Sequence, residues 1–230
     1  RNNVMIWLAA IFLCAVFLPS LWVRWVMRRY ASELPGLPGT GGELAKHLIE
    51  RFELDDVKAE VSDLGDHYDP QERMVRLSQA NWSGRSLTAV AVAAHEVGHA
   101  IQHQQKDPRL QARTTLVPWV NILGQASVGV LAIAPIIGLV IRHPVPLVLI
   151  ALVGLSGLVL RMILHLVTLP TEWDASFGKA LPILRQGGYI SAQQEIPVRR
   201  VLRAAALTYF AAALADAFNL FRWASLLLRR

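Results

Sequence analysis

Apolar residues fall along this chain in long blocks separated by polar, turn-rich stretches. Val4 to Val23 is a run of 20 residues without a charge, closed by Arg24 and then by Arg28 and Arg29. As helix it is long enough to cross about 30 Å of hydrocarbon. Trp7, Trp22 and Trp25 lie near its ends, where amphipathic rings settle. A cleaved signal peptide is the rival expectation, but the run exceeds an ordinary signal core and its positive cluster follows it. From Thr115 to Leu160 the one charged residue is Arg142. That length makes two spans, about Val117 to Ile141 and Val145 to Val167, joined by RHPVP, and predicts a transmembrane helical hairpin. Val201 to Leu220 is a last apolar run, read as a fourth span or as a helix packed on the others. Asp216 lies within it; charges at such depth are functional or paired, and Arg161 is an available partner.

The intervening residues read as a small α+β region. Residues 31–43 are Pro/Gly-rich and predict a loop. Glu43 to Phe52 has helical spacing. VKAEV (Val57 to Val61) and MVRL (Met74 to Leu77) alternate as two strands of a short β-hairpin, with polar GDHYDP between them as a turn in which Asp66 and Asp69 cap backbone groups. MVRL is the candidate edge for an extended substrate strand. Ser86 then N-caps a helix, SLTAVAVAAHEVGHAIQHQQ, which Pro108 ends. Thr171 to Arg185 is helical again and is broken at Gly187 and Gly188. The predicted fold is therefore mainly α: an integral membrane helical bundle of about four transmembrane helices with a small catalytic region. Its expected parts are an N-terminal anchor (1–29), a catalytic region (30–113), a helical hairpin (114–168), a third-ligand helix and loop (169–200) and a C-terminal membrane or membrane-packed helix (201–230).

Composition narrows the function classes. With 53% hydrophobic residues the chain is not disordered. One cysteine, Cys14, excludes a disulfide framework and reads as a lipid-facing or packed small hydrophobe. Glu33 to Glu72 holds 11 acids and 3 bases, and the remainder 20 bases and 6 acids. The arginines flank apolar runs, which points to membrane-interface anchoring and not to nucleic acid. The positive-inside rule puts Arg24, Arg28 and Arg29 in the cytoplasm, and the catalytic region with them. Four spans leave Arg222, Arg229 and Arg230 outside, against that rule.

The chemistry sits in His95-Glu96-Val97-Gly98-His99. On a helix, positions i and i+4 project from one face, so two imidazoles can share one Zn²⁺ at about 2.0–2.1 Å each. Glu96 can then serve the zinc-activated water as general base. The alternative is a helix with satisfied core histidines. A catalytic zinc usually takes three protein ligands. His103 lies about 12 Å along the axis from His95, too far to share the ion. Glu172, where the expected hairpin re-emerges after Pro170, is the better third ligand, with Asp174 as rival. His67 and Tyr209 are candidate oxyanion donors.

GDHYDP, VRLS, AAHEVGHAIQH, LPTEWDAS and LRAAALTYFAAAL, in this order, resemble the YugP-type neutral zinc metallopeptidases, a family of small bacterial membrane proteins, over almost the whole chain. The resemblance implies a zincin-like, gluzincin-type peptidase with zinc on His95, His99 and Glu172 and with Glu96 as base. The arrangement is also similar to the HtpX-type class, in which a membrane hairpin separates HExxH from an ExxxD helix. Ser176 stands where that pattern has Asp, so the carboxylate that orients a zinc-bound histidine is expected from Asp174, Asp66 or Asp69. The function so implied is a membrane-bound zinc metalloendopeptidase of a bacterial inner (plasma) membrane. Its expected partners are a protein or peptide substrate and the lipid bilayer, with a regulatory membrane partner left open. A non-enzymatic, zinc-stabilised scaffold and a site-2-type intramembrane protease are the alternatives. The first does not need Glu96, and the second needs an Asp-Gly pair, which this sequence lacks.

Overall fold

The computed structural model describes residues 2–140 and 144–228. Helix α1 is Asn2–Arg29, α2 Gly41–Arg51, then come strands β1 (Lys58–Val61), β2 (His67–Asp69) and β3 (Met74–Leu77). Helices α3 (Gln79–Ser83), α4 (Leu87–Gln104), α5 (Pro108–Val140) and α6 (Pro144–Trp173) follow. A π-helical segment, Asp174–Ala180, leads into α7 (Leu181–Gln186), α8 (Ala192–Ala206) and α9 (Thr208–Leu228). The chain divides into two compact units: Arg1–Ser20, Ala112–Thr168 and Tyr209–Arg230 in one, Leu21–Gln111 and Leu169–Thr208 in the other.

The first unit carries most of the apolar blocks. Among the described residues three helical stretches are long and apolar enough to cross a membrane: Pro108–Ala134, Val148–Gln186 and Ala192–Ser225. The expected first span, Val4 to Val23, is carried by α1, and most of its side chains lie outside the described residues, as do Arg142 and His143 of the expected connection. Helices α5 and α6 run antiparallel against each other, because Gly124 faces Arg161, Gly157 faces Ser127 and Gly154 faces Leu131. Small residues at such a seam let two helices approach closely where lipid supplies no hydrophobic drive. Asp216 of α9 is 4% exposed and has its Oδ2 3.2 Å from Arg161 Nε and 3.1 Å from His165 Nε2 of α6. The buried acid thus has two cationic or polar neighbours, as its depth requires.

The second unit is built around α4. Its N-terminus is fixed by the Ser86 hydroxyl, which accepts from Ala89 N at 3.1 Å. Its run of Ala and Val is buried on all sides, so neighbours pack close: α2, α8, the sheet and the π-helical segment all touch it. Leu48, Leu77, Leu184, Leu202, Val75, Val97, Val198 and Val201 form the fully buried centre. Helix α2 opens with a capping box, Thr40 accepting from Glu43 N while Glu43 accepts from Thr40 N at 2.7 Å. These hydrogen bonds hold the Glu43 carboxyl below its ordinary range.

Four expectations change here. The strands form a three-stranded sheet of order β1-β3-β2, with β1 parallel and β2 antiparallel to β3, in place of a single hairpin. GDHYDP contributes β2 because Tyr68 buries its ring beneath the sheet. MVRL is the centre strand, paired on both sides, so it offers no edge to a substrate. Pro108 starts α5 instead of merely closing α4, and Pro170 lies inside α6, so no new helix begins before Glu172. A proline forfeits one ladder bond within a helix, but the turns on either side of Pro170 remain helical.

Candidate metal centre

His95 and His99 stand one turn apart on α4, with ring centroids 4.7 Å apart and planes at 80°. Glu172 approaches from the end of α6. Gly98 permits this: a Cβ there would lie 2.8 Å from the Ala175 carbonyl oxygen, so only glycine lets the segment after Glu172 rest against α4. The ligand-type atoms of His95, His99 and Glu172 all lie within 4.8 Å of one another, and all three residues are buried. Glu172 Oε2 is 3.2 Å from His95 Nε2 and 3.4 Å from His99 Nε2.

The outer nitrogens settle which atoms face inward. Ser176 Oγ donates its proton to the Leu202 carbonyl at 2.9 Å, so at 3.0 Å from His95 Nδ1 it accepts that ring's N–H. The Gln102 amide nitrogen donates to Thr171 O at 2.9 Å and to Asp174 Oδ2 at 2.8 Å, so its oxygen accepts from His99 Nδ1 at 2.9 Å. With Nδ1 so engaged, each ring turns its Nε2 toward the Glu172 carboxylate. Two imidazole nitrogens and one carboxylate oxygen, all atoms of zinc-ligand type, thus converge in a buried site. Four ligands around zinc at about 2.0–2.1 Å are roughly 3.3–3.4 Å apart, close to the two edges of 3.2 and 3.4 Å. The residues fit the metal that the motif implies.

The remaining sequence candidates are placed as follows. Glu96 is buried beside the pair, at 7% exposure. Asp174 is not in the group that could hold a metal; it accepts from the Gln102 amide nitrogen, and through Gln102 reaches His99. Asp66 accepts from Ser78 N at 2.7 Å and Asn81 Nδ2 at 2.8 Å. Asp69 accepts from Gln71 N, Glu72 N and Arg76. Asp69 caps the turn that follows β2, Asp66 holds the start of α3, and neither orients a histidine of the group. Burial pushes the Asp69 carboxyl up, but those hydrogen bonds outweigh it and hold it below its ordinary value. His67 Nδ1 is 3.1 Å from Gly65 O. Tyr209 belongs to the other unit, where its hydroxyl meets Arg113 and its ring packs on His165. His67 is not in the His95–His99–Glu172 group. His103 bonds Tyr68 Oη through Nδ1 at 2.8 Å; burial, then the Arg73 charge, holds its imidazole below its ordinary pKa. Burial pushes the Tyr68 phenol up to about 12.

Two roles escape a reading of the motif. Gln102 stands three residues after His99, hence on the same helix face, and Ser176 four after Glu172. Both positions signal contact with the pair, but their acceptors, Thr171 O and Leu202 O, come from distant segments.

The family described as "Putative neutral zinc metallopeptidase" matches residues 5–228. The chain is 36% identical over 218 residues to "Putative membrane protease YugP" of Bacillus subtilis (strain 168), an alignment covering 91% of this chain and 92% of the relative. No solved structure matches the chain.

Proposed function

The chain belongs to the neutral zinc metallopeptidase family, and from that premise we propose that it is a membrane-bound, zinc-dependent metalloendopeptidase acting on peptide bonds of proteins or membrane proteins. One observation carries the reading: two imidazole Nε2 atoms and one carboxylate oxygen converge in a buried site at 3.2 and 3.4 Å, with both outer ring nitrogens already committed. His95, His99 and Glu172 would hold the zinc. When bound, zinc polarises the scissile carbonyl and lowers the pKa of water toward about 7. Glu96 takes the proton of the attacking water and passes it to the leaving amine. Ser176 keeps His95 in the Nδ1–H tautomer, and Gln102 with Asp174 does the same for His99, so neither ring turns away from the site. The apolar stretches support a membrane location, and the arginines that close α1 support a cytoplasmic placement of the peptidase unit in a bacterial plasma membrane.

The test is metal analysis of the detergent-purified chain together with casein cleavage. One zinc per chain, turnover abolished by a chelator and restored by zinc is the expected result. Undiminished turnover of the metal-free protein would overturn the reading.

A further inference from the structure

The end of α1 and the outer face of α8 lie together in the second unit. Arg200 Nη1 donates to Tyr30 Oη at 3.0 Å, although 170 residues separate the two. The contact sets the end of α1, which carries Arg24, Arg28 and Arg29, beside α8, which carries Arg199, Arg200 and Arg203; all six arginines are exposed. Between residues 24 and 30 there is no acid, and α8 holds one, Glu195. That acid pairs with Arg199 at 3.4 Å and Arg185 at 3.8 Å. Among the described residues no acid pairs with Arg24, Arg28, Arg29, Arg200 or Arg203. The inner face of α8 is consumed by the core, through Val198, Val201 and Leu202, which leaves its arginines outside the core.

The chemistry of this surface is narrow. Its cations are all guanidinium, with no lysine, and the guanidinium fork matches phosphate oxygens bidentately. Exposed apolar side chains flank it, Trp25 at 57% and Ile196 at 63%. A free phosphate makes no use of such groups, whereas Trp at the headgroup level is the ordinary arrangement at a bilayer boundary. The helix that delivers Arg24, Arg28 and Arg29 is the one that begins with the charge-free run Val4 to Val23. We propose that the arginine surface of α1 and α8 is a binding site for anionic phospholipid headgroups. This inference does not depend on the peptidase reading.

The experiment uses the full chain in nanodiscs of phosphatidylcholine with 30% phosphatidylglycerol (roughly the anionic load that gives basic clusters their membrane attraction). The lipids retained on extraction into detergent are counted by native mass spectrometry. The expected result is phosphatidylglycerol enriched about fivefold or more over its share of the disc, with the enrichment falling in high salt. Arg199→Gln/Arg200→Gln/Arg203→Gln removes the enrichment and leaves zinc content unchanged. Arg28→Gln/Arg29→Gln is a second, independent variant and reduces it as well. Retention in proportion to the disc composition, or an enrichment that both variants keep, overturns the proposal. So does displacement of the lipid by inorganic phosphate or by a DNA duplex, which would make the surface a general anion or nucleic-acid site.

Discussion

Ser176 holds His95 by accepting: its hydroxyl proton goes to the Leu202 carbonyl at 2.9 Å, and the oxygen is left for the His95 Nδ1–H at 3.0 Å. Ser176→Ala removes the acceptor and frees the ring to turn. Outer partners of this kind are worth about 10–100-fold in metal affinity. Competition titration against a chelating dye is expected to show a loss in that range, and an unchanged zinc affinity would show the serine to be passive.

Gln102 is the corresponding partner of His99, and Asp174 keeps its amide facing the right way. Gln102→Ala is expected to cost zinc affinity by a similar 10–100-fold. Asp174→Asn is expected to cost much less, since an asparagine oxygen can still accept from the Gln102 amide nitrogen. Equal losses in the two variants would mean that the negative charge of Asp174, and not its hydrogen bond, sets the site.

Glu96→Gln keeps the shape of the side chain and removes its basicity. Zinc content is expected to stay at the wild-type level while casein or membrane-protein cleavage falls by about 10²–10⁴-fold, the usual share of a general base. Full activity in the purified variant would exclude Glu96 from proton transfer.

His103 is held below its ordinary pKa by burial and by Arg73, so the unfolded chain binds its proton more readily. The stability this contributes is in place above the unfolded value, near 6.5, and is lost as pH falls through the lower folded value. Proton NMR of the His103 ring is expected to give a midpoint below that of a free imidazole. Thermal midpoints of His103→Asn should fall less on acidification through this range than those of the parent.

Gly98→Ala places a methyl 2.8 Å from the Ala175 carbonyl oxygen. The π-helical segment must retreat, at a cost of about 1–3 kcal/mol. Both the thermal midpoint and zinc retention are expected to drop, because the retreating segment carries the partner of His95 and follows directly on Glu172.

How far the sequence alone reaches differs from residue to residue. His95, Glu96 and His99 are legible because a local periodicity puts i and i+4 on one face. Ser86 is legible because a cap is a local hydrogen bond. Glu172 needs the apolar pattern to return the chain toward α4, and the small residues Gly154 and Gly157 that seat α6 on α5 sit openly in that pattern. The strand β2 is hidden, since three residues with one buried ring show no alternation, and only pairing with β3 makes them extended. Pro170 misleads because its local preference is for a helix start, while the packed turns around it keep α6 unbroken. The hydroxyl of Ser176 cannot be assigned from spacing, because the carbonyl that takes its proton belongs to Leu202, 26 residues on.

The donors of the triangle come from stretches 73 residues apart in the chain, His99 and Glu172. No such meeting place survives in a denatured molecule, so an ion held there would favour the folded state. Occupancy and folding are then thermodynamically linked: free zinc at a hundred times its dissociation constant would add about 2.7 kcal/mol to the unfolding free energy. Limited proteolysis of metal-stripped protein should accordingly cut α4 and the segment after α6 sooner, and added zinc should protect both together.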